Sequence, residues 1–364
     1  MPSKDIILPA TQRAIIATDA EGTLKISNDV PVVTLESDAV IVETAALALN
    51  PVDTKMLHGF LGPGCILGFD FAGVIVAVGS AVPESRGLAI GDRVFGSANG
   101  SDRRRPLAGA FAQYTTCSAS MIIKMHPDMT FTRAAALGTA LTSTGMALFR
   151  SLCIPGTLDK PILKSTWLLV YGGATSTGTM MIQLARRCGF KPITTCSPAN
   201  FNLVKSYGAE EAFDYHSSTC AEDIRKYTGN TLAYAADCVT VPSSTKACIA
   251  AIGRAGGRYV ALDPYEEDLM TRKVVRPDWI LATAVAGRGS SWPAPYGREP
   301  DMECRVWAEE YLASVERLIG SGADQIRSHP LEEREGGLEG IMSGIEEIRR
   351  KQVRGFKLVY PVEW

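Results

Sequence analysis

Two hydrophobic rhythms divide the chain. Over roughly the first 130 residues the apolar runs are short, rich in β-branched residues and bounded by turn residues: VIVETAALALN (40–50), GVIVAVGSAV (73–82), IGDRVFG (90–96) and GAFAQYTTC (109–117). Runs of that kind predict strands. A helical stretch is expected near 131–151. LCIPGTLDKPILKS (152–165), with two prolines and a glycine, reads as a domain boundary.

From residue 166 the pattern changes. WLLVYGG is a short, wholly apolar strand ending in glycines. In ATSTGTMMIQLARRCG the apolar residues 181, 184, 185 and 188 fall on a helical period, and Gly189 serves as C-cap. KPITTCS (191–197) predicts another strand and FNLVKSYGAE a helix. EAFDYH (211–216), AYAADCV (233–239) and GRYVALD (257–263) are further strand candidates. Strands alternating with helices predict a doubly wound parallel sheet. Beyond about residue 288 a Pro-rich segment, SWPAPYGREP (291–300), leads to two amphipathic helices and a last strand, KLVYPV (357–362). That strand is expected to pair with the first domain and so make it discontinuous, with limits 1–155 and 290–364 around an inserted 156–289.

Length and composition narrow the class. The chain has 364 residues, 46% hydrophobic and 21% charged, so it is a globular protein of two or three domains. Lys and Arg total 37 against 39 Asp and Glu, for a formal net charge of −2. That balance argues against a nucleic-acid binder. Nine scattered cysteines form no CxxC pair, as expected of reduced thiols in a soluble, cytoplasmic protein. No run reaches the length of a membrane span, and MPSKDIILPATQR has no signal-peptide apolar core.

VYGGATSTGTMMIQLA (170–185) carries the strongest chemical signal. Strand, Gly turn and helix start place backbone N–H groups where a pyrophosphate fits. Against GxGxxG it reads Gly173-x-Thr175-x-x-Gly178, with Thr at the middle glycine. Alone, the motif equally fits an ordinary turn; the surrounding strand–helix alternation favours a dinucleotide. The residues expected at the phosphates are Gly173, Ala174, Thr175, Ser176, Thr177 and Gly178. The next strand ends Ser197-Pro198-Ala199-Asn200, with Lys205 one turn on. It offers no acid for a ribose hydroxyl. Hydroxyl, amide and ammonium groups suit a 2′-phosphate, hence NADPH, with Tyr215 over the adenine. Ser197 and Asn200 serve equally as helix caps.

ALNPVDTKM (48–56), GFDFAGVI (68–75), GDRVFG (91–96), GAFAQY (109–114), the glycine turn and GFKLVY (355–360) stand in the order of the medium-chain dehydrogenase/reductase superfamily, which the chain resembles over nearly its whole length. DTKM, YGGATSTGT, CSPANF, DPYEEDLMTRK, WPAPYGR and GGLEGI are similar to the trans-acting enoyl reductases of fungal polyketide synthases, the lovastatin type among them. The resemblance implies an α/β fold: a GroES-like, β-rich catalytic domain plus a Rossmann domain, with the active site in the cleft between. It implies cofactor contacts at Val52, Asp53, Thr54, Lys55, Leu262, Asp263, Arg354 and Gly355. It implies substrate contacts at Thr139, Ala140, Leu141, Thr142, Ser143, Thr144, Gly145 and Met146, and at Thr283, Ala284, Val285, Ala286 and Gly287. The alternatives are close packing of a small-residue helix for the first group and a core strand for the second.

Zinc members of the superfamily hold the metal with a Cys near Asn50 and a His near Phe69, and neither is present here. Nor do His58, His126, His216 and His329 have ligand spacing. No metal is expected, which points to reduction of an activated carbon–carbon double bond. Lys55 and Thr139 are the expected catalytic residues. Lys55 would position the cofactor or the oxyanion, with proton delivery as a further role. The expected partners are an iterative polyketide synthase, or a polyketide synthase–peptide synthetase hybrid, and its acyl carrier domain. Arg103-Arg104-Arg105 and Arg349-Arg350-Lys351 are solvated charge or carrier contacts. A free-standing quinone or alkenal reductase and a cofactor-binding scaffold protein are the alternatives. A monomer is expected, because the polar run 265–268 and Pro277 discourage edge-strand pairing.

Overall fold

The computed structural model of the protein describes residues 7–57 and 59–364, so His58 and the first six residues lie outside the described residues. The chain divides into two compact units, Met1–Thr139 with Thr283–Trp364, and Ala140–Ala282.

The first unit is built on antiparallel strands. β1 (Thr11–Ala17) and β2 (Leu24–Pro31) form a hairpin. The main sheet runs β14-β15-β3-β4-β5-β7, with β6 also paired to β3. Its members are β3 (Ala39–Ala48), β4 (Asp70–Val78), β5 (Arg93–Ser97), β6 (Tyr114–Ser118), β7 (Ile123–Lys124), β14 (Leu331–Glu333) and β15 (Lys357–Pro361). β3 is mostly buried, because its apolar run has strands on both edges. β15 lies against β3, Val359 opposite Ala48, so the unit is discontinuous in sequence. Its helices are α1 (Pro51–Lys55), α2 (Phe131–Ala135), the whole of α8 (Met302–Gly320) and α9 (Gly337–Arg349), and the start of α3 (Gly138–Gly145).

The second unit carries six parallel strands in the order β10-β9-β8-β11-β12-β13. They are β8 (Trp167–Tyr171), β9 (Lys191–Cys196), β10 (Glu211–Asp214), β11 (Tyr234–Asp237), β12 (Gly257–Ala261) and β13 (Val275–Trp279). Counted from β8 this is the 3-2-1-4-5-6 order of a doubly wound dinucleotide fold. The crossovers are α4 (Ser176–Arg187), α5 (Phe201–Ser206), α6 (Cys220–Tyr227) and α7 (Pro242–Ala251). The stripe expected on α4 is real: Met181, Leu184, Ala185 and Cys188 are buried. Leu169, Ile193, Ala235, Ile249 and Tyr259 belong to the core on the opposite face.

Three expectations shift. The single helix near 131–151 is α2, α3 and a π-helical turn, Met146–Ser151. The unit limits fall at 139/140 and 282/283 instead of 155/156 and 289/290. The cause is packing: the Ser151 carbonyl accepts from Arg258 on β12 at 3.3 Å, while Arg288 is tied to Glu36 and Asp38 of the first unit. Ala282–Ala286, read as a core strand in one alternative, is a 3₁₀ turn. The sixth strand lies earlier, in the polar VRPDW. Its Arg276, Pro277 and Asp278 are exposed at the sheet edge, where a missing N–H costs no ladder bond.

One buried network fastens the second sheet. Asp237, at the end of β11, accepts from the amides of Val239 and Thr240 at 2.9 Å, from Ser244 Oγ at 2.6 Å and from Tyr259 OH at 3.0 Å. Tyr259 OH also meets Thr245 Oγ1 at 3.0 Å. Replacing Tyr259 with Phe removes one of four donors to a buried carboxylate. The variant is expected to lose about 1–3 kcal/mol, read as a lower urea midpoint at an unchanged m-value.

Candidate active site

Within the second unit the glycine turn follows β8, between the strands where the sheet order reverses. Gly172 has φ +82°, which opens the turn. A Cβ on Gly178 would fall 2.3 Å from the Gly172 carbonyl oxygen, so α4 and the turn touch backbone to backbone. Thr175, where the fingerprint has glycine, is the N-cap. Its Oγ1 accepts from the Gly178 N–H at 3.0 Å and donates to the Gly172 carbonyl at 2.8 Å. The hydroxyl closes the turn from within, and Ala174, Thr175, Ser176 and Thr177 remain half-buried around the helix start. A twelve-residue helix with this approach fits a pyrophosphate.

The tip of β9 carries the second phosphate candidates. Ser197 and Asn200 are half-buried, Pro198 and Ala199 exposed, and neither Ser197 nor Asn200 caps a helix with its side chain. Both nevertheless stand at N-cap positions, Ser197 of the 3₁₀ turn 198–200 and Asn200 of α5. Lys205 is placed elsewhere: its Nζ pairs with Glu211 Oε1 at 2.6 Å. Glu211 lies opposite Ile193, about 13 Å along the strand from Ser197. The helix turn that carries Lys205 sends it toward the start of the strands, not their tips. Tyr215 is exposed and leans on His216, ring centroids 4.0 Å apart. Leu262, whose N–H reaches Thr240 Oγ1 at 3.2 Å, and Asp263 follow β12 at the same end of the sheet.

Within the first unit the expected residues surround a buried ionic cluster. Asn50 and Pro51 open α1, and Asp53 Oδ2 accepts the Asn50 N–H at 2.6 Å. This short helix directs Asp53 inward and leaves Lys55 exposed at its end, with Val52 and Thr54 half-buried. Asp70, at the head of β4, is fully buried. Its Oδ2 accepts from Lys357 Nζ at 2.5 Å and from Asn50 Nδ2 at 2.9 Å. Its Oδ1 accepts from the backbone N–H and hydroxyl of Thr139 at 2.6 and 2.7 Å. Lys357 also donates to Asn50 Oδ1 at 2.9 Å and to the Ala136 carbonyl at 3.3 Å, which the break between α2 and α3 exposes. Thr139 Oγ1 lies 3.1 Å from Ser97 Oγ. A Cβ on Gly138 would fall 2.8 Å from Asp70 Oδ1, so only glycine lets α3 start here.

The donor set does not suit zinc. Asn50 is an amide, Phe69 an apolar ring, and the Lys357 ammonium already sits against the Asp70 carboxylate. Burial, with the Lys357 charge as second cause, pushes His329 down to about 4, so this buried ring is neutral. No group of three candidate metal ligands occurs among the described residues.

The remaining expected residues are distributed between the units. Thr139 and the 283–287 turn belong to the first unit, with Val285 and Ala286 buried. Ala140 through Met146 belong to the second, where Thr142, Ser143 and Thr144 are buried. Arg354 is exposed and bonds the Lys351 carbonyl at 3.4 Å; Gly355 has φ +80°. The Arg103–Arg105 run is not loose charge. Arg103 holds the Leu61 and Gly59 carbonyls, Arg104 meets Asp102, and Arg105 meets Glu36. In the second basic run Arg349 pairs with Glu346 at 2.7 Å.

Asp70 and Lys357 lie within motifs shared with the family, yet nothing local in the sequence assigns them a role. The available signal was a lone charge inside an otherwise apolar strand on each: GFDFAGVI and GFKLVY. Such charges are buried only when paired.

Asp53 adds a pH dependence. Its Oδ1 has no hydrogen-bond partner, and burial holds the carboxyl well above the usual carboxylate range. A folded-state value above the unfolded one stabilises the fold at low pH; that contribution is lost as pH rises through the folded value. Asp53→Asn keeps an acceptor for the Asn50 N–H and cannot ionise. Its urea midpoint relative to wild type is expected to improve as pH rises from the usual carboxylate range through the raised folded value and to level off above it; a flat difference throughout would contradict a proton held on Asp53.

Comparison with known proteins agrees with this geometry. The family model for the alcohol dehydrogenase GroES-like domain matches residues 36–127, and that for zinc-binding dehydrogenase matches residues 176–294. The trans-enoyl reductase buaC of Petromyces alliaceus is 53% identical over 97% of this chain and 98% of its own. The trans-enoyl reductase milB of Cordyceps militaris is 50% identical over 97% and 99%. Among solved structures, a zinc-dependent alcohol dehydrogenase protein from Rhizobium etli superposes with a TM-score of 0.77 at 21% identity, covering 97% of this chain and 99% of that one. The quinone oxidoreductase of Coxiella burnetii gives 0.68 at 23%, covering 97% and 100%. With identity this high over nearly the full length of both named relatives, the chain belongs to the fungal trans-enoyl reductases, oxidoreductases of the medium-chain dehydrogenase/reductase superfamily.

Proposed function

We propose that the protein reduces the α,β-double bond of a polyketide thioester carried on the acyl carrier domain of a partner synthase, with NADPH as the reductant. The observation that carries this reading is the full-length similarity to relatives named trans-enoyl reductases, joined to a Thr-capped glycine turn that fits a dinucleotide. NADPH is favoured over NADH because the tip of β9 presents Ser197 and Asn200 and no acid. Bound there, the cofactor would supply a hydride for the β-carbon of the enoyl chain, and the α-carbon would then take a proton from Lys55 or from solvent.

The chain's own residues must stabilise the charge that then builds on the thioester oxygen. Lys55, exposed at the end of α1 beside the buried cluster, is the donor this reading assigns. The buried ammonium of Lys357 cannot serve, since its bonds go to Asp70, Asn50 and Ala136. The protein is proposed to act as a monomer, because the outer strand of the second sheet presents Pro277 at its centre. The cytoplasm is the proposed compartment. No helix among the described residues is long and apolar enough to cross a membrane.

Two measurements test the reading. NADPH oxidation is expected to be faster with enoyl thioesters of pantetheine, increasing with chain length, than with simple quinones or short alkenals, and faster than NADH oxidation throughout. Faster turnover of quinones would transfer the assignment to a free-standing quinone reductase. Lys55→Ala is expected to cut thioester reduction by about 10²–10³ while the protein stays folded, and Lys55→Arg not to restore it fully. Near wild-type reduction by Lys55→Ala would remove Lys55 from the chemistry.

A further inference from the structure

The two ends of the second sheet differ in chemistry. The strand tips carry the glycine turn and Ser197. The end where the strands begin lies a strand length away, about 13 Å along β8. There Trp167 opens β8 and Lys191 opens β9, opposite each other in the register. Lys191 Nζ stands 5.2 Å over the Trp167 ring. Tyr227, at the end of α6, packs against the same ring with centroids 5.3 Å apart, yet stays exposed. The loop before β8 is fastened by Ile162, whose N–H donates to the Cys188 carbonyl at 2.9 Å. The next residue, Leu163, stands fully in solvent, with exposed Lys160 and Lys164 on either side in the chain.

Helix ends explain part of the charge here. Arg186, Lys205 and Lys226 stand in the last turns of α4, α5 and α6, where cations are favourable. Arg186 and Lys205 also occupy the acids at this end, Glu210 and Glu211. Asp159, the single acid of the loop 152–165, is itself engaged. Lys160 and Lys164 lie on no helix, and with Lys226 they make no ion pair among the described residues. A lone exposed leucine needs no explanation. A protruding leucine and an exposed tyrosine at one sheet end, rimmed by unpaired amines, have the make-up of an interface.

We propose that this end of the second unit docks an acidic stretch of the partner synthase, distinct from the carrier domain that delivers the chain. The proposal rests on the function proposed above. The charge selects an acidic protein surface, with apolar positions for Leu163 and Tyr227, and it repels a second copy of this chain, which carries the same cations. The strand tips stay open, because the contact lies at the other end of the strands. An enzyme acting on a chain held by another polypeptide gains from such a hold. Once docked, it meets the carrier at the effective concentration that the linker sets, not at the bulk concentration.

The test compares a free substrate with a synthase-borne one. Lys160→Glu/Leu163→Ser/Lys164→Glu changes exposed loop side chains only, and Lys226→Glu probes the same end from α6. Both variants are expected to reduce an enoyl thioester of pantetheine with kcat and KM within about twofold of wild type. With the purified synthase, its carrier loaded with the enoyl chain, KM is expected to rise about tenfold in the triple variant and severalfold in Lys226→Glu, at unchanged kcat. Raising NaCl from about 50 to about 300 mM should bring the wild-type KM toward that of the triple variant and leave the latter nearly flat. An unchanged synthase KM in both variants overturns the proposal. So does an equal loss with the pantetheine thioester, which marks a structural effect. Binding of wild type to phosphatidylserine vesicles, lost in the variants, would assign this face to a membrane and also overturn it. If wild type reduces neither substrate, the proposed function falls and takes this inference with it. Normal pantetheine thioester reduction with an unchanged synthase KM in the variants strikes this inference alone.

Discussion

A lysine ammonium buried against a carboxylate governs the first unit. Removing two charges from water costs several kcal/mol each, and attraction alone does not reliably offset it. The cost is met here because the hydrogen bonds are shared out: Lys357 reaches Asp70, Asn50 and the Ala136 carbonyl, and Asp70 has four donors. Every partner lies on a different element, so each must be in place for the others to be satisfied. β15 cannot slip by one residue against β3, since the slip would turn Lys357 to the other face and leave Asp70 unpaired. The start of α1, the break between α2 and α3, and the head of β4 are set by the same few atoms.

The second unit is held differently. Its order comes from successive strand–helix–strand steps close in sequence, and its polar interior is the single carboxylate of Asp237 with hydroxyl and amide donors. No ammonium is needed there, because the donors are neutral and local. Thr175 follows the same economy: one hydroxyl caps α4 at the Gly178 N–H and closes the turn on the Gly172 carbonyl.

What could be read from the sequence follows from this contrast. Local periodicity exposed β3, β4, β8, β9 and the stripe on α4, since burial of one face or both writes itself into neighbouring residues. Val275–Trp279 escaped because three of its five residues face solvent at a sheet edge and look like a loop. Ala282–Ala286 misled because a short apolar run does not distinguish a strand from a tight turn. Lys205 fitted the phosphate chemistry in type, but helix geometry directs it to Glu211. The Asp70–Lys357 pair joins positions 287 residues apart, and no local pattern carries that information.

The discontinuity of the first unit also has a consequence during synthesis. Residues 167–279 hold all six strands of the second sheet in one continuous stretch, so that sheet can form while the ribosome is still adding chain. Asp70 emerges early, yet its counter-ion lies 287 residues further along the chain. Until Lys357 has emerged, β3 lacks its β15 neighbour and the Asp70 carboxylate keeps its water. The first unit thus closes only after the second sheet has been made, and a nascent chain that stops short of Lys357 presents the cell with one folded body and one that cannot shut.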